Sequence, residues 1–252
     1  MKSRLTLLLA ICCFTAIAPA FAQTETDTTA VMSEEPDDEV EIQPVHRHPR
    51  YFSNALDAGI FSVAAFEKPG MNRELSYLRF SFIANIGFHF NYDFDEHFGL
   101  FTGLGIKNIG FTEKVGDATI KRRVYTIGAP IGFKIGNIAR RNFLLIGGGI
   151  DVPFNYREKV KRGSDKQKSS EFFSDKTASV MPYLFTGFSM KPGLTFKLQF
   201  YPGNFFNVDY EETTASGAII RPYRGYDARL LLLSIGLDIH YRKSEKPTNT
   251  PQ

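Results

Sequence analysis

Residues 78–94 read LRFSFIANIGFHFNYDF, and this stretch decides the fold class. Its even positions are almost all apolar, whereas its odd positions, among them Arg79, Asn85 and Asp93, are mostly polar. A period of two residues indicates a β-strand whose two faces meet different surroundings. The alternation is sustained far beyond the ~5–6 residues that are usual for strands of soluble sheets.

The same alternation recurs over seven further segments, and no stretch of ten residues shows a convincing helical period. These segments are 55–66, 98–111, 121–135, 143–155, 178–190, 194–201 and 231–241, with the register of 55–66 and of 178–190 the least defined. Short connections alternate with longer ones, which include 112–120, 156–177 and 202–226. We therefore predict an all-β fold, an eight-stranded antiparallel up-and-down transmembrane β-barrel whose closure removes exposed sheet edges.

The composition of the two faces predicts which one is inside. The polar face is rich in glycine and carries few charges, which suits the narrow interior of an eight-stranded barrel. A water-facing surface would have little reason for glycines that weaken its strands. The opposite face draws on the 24 Phe of the chain together with Leu and Ile, which suits lipid. The predicted lumen charges are Arg79, Lys107, Lys134, Asp151 and Lys197.

Aromatic residues gather at the ends of the predicted strands, as in the interfacial girdles of membrane barrels. At the end with short turns they include Phe90, Tyr92, Phe94, Phe98 and Phe133. At the end with long loops they include Phe66, Phe111, Tyr125, Phe154, Tyr156 and Tyr226. Bacterial barrels place short turns in the periplasm, so both termini are predicted to be periplasmic.

The two ends of the chain predict export to the outer membrane. Residues 1–22 combine Lys2 and Arg4, an apolar run and a small-x-small site before Gln23, which is typical of a secretory signal peptide. Residues 23–50 carry eight acids against two arginines and predict an unfolded acidic periplasmic tether. The barrel is expected over 51–242, and 243–252 is a polar tail. Both cysteines lie in the signal peptide, so the mature chain has no disulfide or thiolate chemistry.

Two segments resemble a known group of proteins. The closing strand LLLSIGLDIHY (231–241) and the stretch YPGNFFN (201–207) are similar to the small outer-membrane β-barrel domain family of Gram-negative bacteria that includes PorT-like proteins. The resemblance implies a barrel in the outer membrane with a secretion-related role. The aromatic that closes the final strand is similar to the signal that the barrel-assembly machinery reads, although a short tail follows Tyr241 here.

The histidines test for catalysis. His46 and His48 lie in the tether, His97 in a short turn, and His89 and His240 on inward positions of the short-turn end. None lies at the outer rim, so we predict no enzyme activity and no metal or other cofactor. The sequence predicts an inward polar cluster of Asp57, His89, Asp238 and His240. Such a cluster either satisfies buried polar groups or relays protons or ions.

Two long loops are candidate contact surfaces. The basic loop 156–177 is predicted either to pair with lipopolysaccharide phosphates or to be solvated, and its cations are Arg157, Lys159, Lys161, Arg162, Lys166 and Lys168. Loop 203–226 is too apolar to be idle, and it either binds a protein partner or packs over the barrel mouth. Its candidate contacts are Phe205, Phe206, Tyr210 and Tyr223.

Three functions are compatible with this pattern. The first is a structural or partner-binding outer-membrane barrel with a packed polar lumen, present as a monomer or in an envelope complex. The second is a narrow channel, which eight strands disfavour because they leave little open pore. The third is a secreted soluble barrel that carries an apolar ligand. No nucleic-acid-binding module is recognised.

Overall fold

The computed structural model describes residues 50–214 and 216–240, and every regular element within them is a strand. The strands are β1 (Arg50–Glu67), β2 (Glu74–Leu75), β3 (Arg79–Asp93), β4 (Phe98–Val115), β5 (Ala118–Asn137), β6 (Asn142–Arg162), β7 (Asp165–Phe172), β8 (Met181–Met190), β9 (Leu194–Tyr201), β10 (Glu212–Thr213), β11 (Ile219–Ile220) and β12 (Asp227–His240). Within these ranges no helix is long and apolar enough to cross a membrane. The predicted signal peptide, nearly all of the tether and the polar tail lie outside the described residues.

Eight of these strands close into a ring. Their order is β1, β3, β4, β5, β6, β8, β9 and β12, and β12 pairs with β1 to complete it. Each neighbouring pair is antiparallel. The closing ladder runs from Ser53 opposite His240 to Glu67 opposite Asp227. The predicted up-and-down barrel is therefore confirmed.

Two of the predicted long loops are extensions of the sheet. β4 and β5 continue past the ring and turn at Gly116, which has φ 55°. β6 and β7 form a second extended hairpin that turns at Gly163, which has φ 57°. Glycine reaches this left-handed conformation without steric cost, so it permits tight hairpins. The apolar–polar alternation fades here because both faces of these hairpins carry polar and charged side chains, and the sequence pattern therefore missed them.

β1 changes its inward parity at a bulge between Asp57 and Gly59. Before the bulge, the buried side chains are Ser53, Ala55 and Asp57. After it they are Ile60, Ser62, Ala64 and Phe66. A shift of one residue moves every later side chain to the other face of a strand. The bulge is the physical reason why the register of 55–66 was weakly defined in the sequence.

A belt of exposed apolar side chains surrounds the ring. Its members include Phe52, Phe80, Phe82, Phe88, Leu104, Ile106, Ile127, Ile131, Leu144, Ile146, Leu184, Leu198, Leu233, Leu237 and Ile239. Phe82 is 71% exposed and Phe88 is 65% exposed. Exposed apolar area costs roughly 25 cal/mol per Å² in water but is compatible with lipid. The exterior is therefore that of a bilayer-spanning barrel.

The aromatic girdle is present at one end and different from the prediction at the other. At the short-turn end Phe98 stacks between Phe94 and Phe133, with ring centroids 5.4 and 5.5 Å apart. At the long-loop end Tyr125 and Phe154 contact each other near the outer edge of the belt. The girdle prediction was wrong for four buried residues there, which are Phe66, Phe111, Tyr156 and Tyr226. Their side chains point into the barrel mouth.

Candidate functional site

The centre of the lumen holds a buried ion pair between β4 and β6. Lys107 Nζ lies 3.1 Å from both carboxylate oxygens of Asp151. The hydroxyl of Tyr201 donates to Asp151 Oδ2 at 2.5 Å, and the Lys107 ammonium lies 3.5 Å from the ring centroid of Tyr183. A buried charge without such partners would cost several kcal/mol. Lys107 and Asp151 are two of the predicted lumen charges, and the structure brings them together.

A second buried pair neutralises the same level of the lumen. Lys197 Nζ lies 3.1 Å from Asp57 Oδ1, and the amide of Asn85 donates to Asp57 Oδ2 at 2.6 Å. Lys107 of the first pair also donates to Gln199 Oε1 on β9 at 3.4 Å. The charges at the centre of the lumen thus compensate one another.

The remaining predicted lumen charges lie toward the two ends. Lys134 pairs with Asp93 and donates to the hydroxyl of Tyr51 at 2.8 Å, close to the short-turn end. Arg79 lies six residues beyond the last pair of the β3–β4 ladder, Asn85 opposite Lys107, and it donates to Asn108 Oδ1 on β4 at 2.8 Å. Arg79 therefore fills a seam in the wall rather than taking part in the central network.

Three of the four residues of the predicted polar cluster line one cavity. Asp57, His89 and Asp238 border a space of about 50 Å³ in the lumen. Such a volume holds roughly three or four water molecules. Within the described side chains no hydrogen bond joins these three, because Asp57 is bound to Asn85 and Lys197 and the His89 ring packs on Phe101 at 5.2 Å. The side chain of His240 lies outside the described part.

The mouth at the long-loop end is closed by an aromatic plug. We use this name for Phe111 on β4 together with Phe205, Phe206 and Tyr226 of the last connection. Phe205 and Phe206 are each 2% exposed, and their rings meet edge to face with centroids 5.1 Å apart. Burial of this kind makes them a folding contact, so the structure assigns these two residues to packing over the mouth rather than to a partner. Tyr223 stacks on Phe206 at 4.3 Å, and Tyr210 contacts Tyr223.

A buried carboxylate fastens the plug to the wall. Glu113 accepts hydrogen bonds from Arg122 at 2.6 Å and from the Tyr226 hydroxyl at 2.7 Å, and it pairs with Lys68. Burial opposes its ionisation, but the hydrogen bonds from Lys68 and Tyr226 and the charge of Arg122 outweigh burial and hold the pKa of Glu113 below its usual value. Arg122 also donates to Glu158 at 2.8 Å.

The charged side chains that the strands of the extended hairpins place on their outward surface are all cations. Cross-strand register places Lys121 opposite Lys159, Lys159 opposite Lys168, Lys161 opposite Lys166 and Arg123 opposite Arg157. We call this surface the basic face, and its members are Lys114, Lys121, Arg123, Arg157, Lys159, Lys161, Lys166 and Lys168. Arg162 is not a member of the basic face, because it lies one residue out of phase and opposite Asp165, on the other surface of the hairpin.

Sequence reasoning missed the fastening of the plug and part of the basic face. The alternation pattern assigns Glu113 and Lys114 to a loop, and Lys121 and Arg123 to an ordinary strand end. A usable signal existed, since Glu113 continues the odd-numbered inward positions Lys107, Ile109 and Phe111. Extending that parity beyond residue 111 would have placed Glu113 inside and Lys114 outside.

Comparison with known proteins adds only a general likeness. We found no protein-family model and no curated protein that matches the chain. Among solved structures the chain is similar to the attachment invasion locus protein Ail of Yersinia pestis, with 12% identity and a TM-score of 0.37 over 76% of this chain and 99% of Ail. It is also similar to Neisserial surface protein A, with 13% identity and a TM-score of 0.38 over 75% and 97% of the two chains. A third match is CarO of Acinetobacter baumannii, with 12% identity and a TM-score of 0.36 over 73% and 98%.

Likeness at this level carries no argument about function. The barrel assignment rests on the strand pairing of this chain. Among the described residues no three metal-ligating side chains come together. Chemically, the lumen network and the plug hold the wall together and close the interior. The basic face presents positive charge that no carboxylate of residues 50–214 and 216–240 pairs with.

Proposed function

We propose that this protein is a sealed, non-catalytic barrel of the Gram-negative outer membrane that serves as a structural or partner-binding component of the envelope. The observation that supports it best is the combination of an apolar exterior with an interior closed twice. Ion pairs fill the centre, and the aromatic plug covers the mouth. In this proposal the residues that contact a partner lie outside the lumen, on the hairpins and loops that project beyond the membrane.

The location in the outer membrane is supported by two independent features. One is the predicted signal peptide at residues 1–22, and the other is the belt with its short-turn girdle. Bacterial barrels insert with short turns toward the periplasm, which puts the basic face and the plug outside the cell. Recognition by the barrel-assembly machinery remains part of this proposal.

The PorT-like resemblance extends the proposal toward secretion. In the stretch YPGNFFN, Tyr201 binds Asp151, and Phe205 and Phe206 form the plug. Asn204 Oδ1 accepts a hydrogen bond from the backbone amide of Ala228 at 3.0 Å. The stretch therefore has a role in holding the last connection in the mouth, which supports a shared architecture more directly than a shared partner.

Fractionation and conductance test the proposal together. We expect the protein in the outer-membrane fraction, with faster gel migration before heating than after it, and no steady conductance in planar bilayers. An ion-sized, stable conductance would favour the channel. Recovery from the periplasm without detergent would favour the soluble carrier, which would have to hold side chains such as Phe82 and Phe88 in water.

A further inference from the structure

Among the described residues, no carboxylate neutralises the basic face. In the described residues no carboxylate lies within 4.0 Å of any of its eight cations, and the only hydrogen bond from them runs from Arg157 to Asn155. Slight desolvation and the charges of Lys168, Lys166 and Lys121 lower the pKa of Lys159. Like charges directly opposite across a ladder destabilise a sheet, so folding does not explain this arrangement.

Along the strands of the extended hairpins, acidic residues point inward while the cations next to them in sequence point outward. The carboxylates Glu113 and Glu158 alternate with the cations but point inward, where Arg122 binds both. These two carboxylates are thus engaged on the inner surface and do not neutralise the outer one. The outward surface is left as a field of one sign that attracts anions.

The basic face begins at the edge of the apolar belt. Arg157 lies 5.1 Å over the ring of Tyr125, and Tyr125 contacts Phe154 at the outer edge of the belt. Phe172 is paired with Asn155 at the same level and is 69% exposed, and the adjacent Phe173 is 80% exposed. Apolar and basic groups are therefore continuous on one surface, which fits an amphipathic ligand with an apolar part in the bilayer.

The distance of the cations above the apolar belt indicates which class of anionic lipid they can reach. Strands rise by ~3.3 Å per residue, and the polar layer of a phospholipid leaflet reaches only about 5–8 Å beyond the hydrocarbon. Arg157 lies three residues beyond Phe154, and because the tilt of the strand reduces its height to about 8 Å, it is within reach of that layer. Lys159 and Lys161 lie five and seven residues beyond Phe154, so they stand above the phosphates of a simple phospholipid.

We propose that the basic face of β4–β7 binds a polyphosphorylated glycolipid of the outer leaflet, of the lipopolysaccharide type, whose phosphates are stacked outward from the membrane. The pair Arg123 and Arg157 contacts the phosphate nearest the acyl chains. The lysine rows above it contact phosphates of the sugar core. This inference rests on the proposed position of the barrel in the outer membrane.

Binding of purified lipopolysaccharide to the full chain in a non-ionic detergent tests the inference. The double substitution Lys159→Gln/Lys168→Gln removes an opposed pair from the upper row. Since a cation near an anionic surface contributes about 1 kcal/mol, the pair should weaken binding by roughly thirtyfold. The matched control Arg140→Gln/Lys191→Gln removes two exposed cations from the short-turn end and should leave affinity unchanged.

Two further arms identify the source of the phosphate. Arg123→Gln/Arg157→Gln should weaken binding both to lipopolysaccharide and to micelles doped with phosphatidylglycerol, whereas the lysine pair should affect lipopolysaccharide alone. Dephosphorylated lipopolysaccharide should bind weakly to every variant. Equal binding of the phosphorylated and dephosphorylated forms, or tighter binding of soluble dextran sulfate than of lipopolysaccharide, would overturn the proposal.

These binding experiments distinguish a failure of the proposed lipopolysaccharide binding from a failure of the proposed outer-membrane location. Heat-modifiable migration confirms that each variant is folded, and binding in detergent does not depend on where the protein resides. If fractionation placed the protein elsewhere while binding remained phosphate-dependent, the location alone would fail. If fractionation found it in the outer membrane and the lysine variant bound as wild type, the inference alone would fail.

Discussion

Glu113 and Lys114 are consecutive on β4, yet they face two different environments. The carboxylate points inward and is held by Arg122, Lys68 and Tyr226, while the ammonium points outward onto a surface without carboxylates among the described residues. The same division runs through β5 and β6, where Arg122 and Glu158 are inside and Arg123 and Arg157 are outside. Buried charges must be paired, whereas exposed charges are screened by water and salt. Charges on the inner face of the sheet therefore stabilise the fold, whereas those on the outer face are free to meet a ligand.

The strongest test of this comparison removes one inner charge. Asp151→Leu leaves the Lys107 ammonium buried without its partner and deprives Tyr201 of its acceptor. We expect a loss of about 3–5 kcal/mol in the free energy of unfolding, measured by urea titration from lipid vesicles. The double variant Lys107→Met/Asp151→Leu should recover much of this loss, and a single variant as stable as wild type would contradict a structural role for the pair.

The plug should respond as a folded core. Phe206→Ala removes a ring that is 2% exposed and packs on Phe205, Tyr223 and Tyr226. A loss of about 3 kcal/mol in unfolding free energy is expected from a buried Phe→Ala change. Phe88→Ala, at a lipid-facing position, is the control and should cost clearly less. Equal losses at the two positions would mean that the plug is not packed as described.

The fastening of the plug predicts a pH dependence. The pKa of Glu113 is held below its unfolded value, so its contribution is complete above the unfolded pKa of about 4.3 and is lost as pH falls through the folded pKa. Glu113→Gln should cost about 1–3 kcal/mol at neutral pH and should flatten the acidic limb of a plot of unfolding midpoint against pH. A limb of unchanged slope would assign the acid sensitivity to other carboxylates.

The smallest effect, with the opposite sign, is expected on the basic face. Lys159 lies opposite both Lys121 and Lys168, so Lys159→Gln should raise the unfolding free energy by about 0.2–1 kcal/mol at low salt. The gain should vanish at high salt because exposed charges are screened. Lys191 has no such neighbours across a ladder, so Lys191→Gln should leave the unfolding free energy unchanged at both low and high salt. A destabilised Lys159 variant would indicate that the cations support the fold.

Much of the fold follows from local pattern, and the departures have identifiable causes. The alternation in 78–94 reflects the two environments of the strand, lipid outside and a polar lumen inside. The number of strands and the set of inward positions were therefore predictable. The bulge at Asp57–Gly59 could not, because one inserted residue leaves the composition of the strand unchanged. The lumen charges were predictable as a set since lipid excludes them, but their partners depend on register between distant strands. For example, the pairing of Asp57 with Asn85 and Lys197, rather than with His89, depends on this register and was not predictable.

The ring closes between β1 and β12, whose partners lie nearly the whole length of the domain apart in sequence. Every other ladder joins strands that are neighbours along the chain, apart from small hairpins between them. Closing so long a loop carries the largest entropic cost, so the β1–β12 seam should form last, after the local hairpins. Until then the nascent sheet carries two bare edges that can pair with another chain. The time that this seam stays open, rather than the stability of the finished ring, sets how long the protein needs protection during biogenesis.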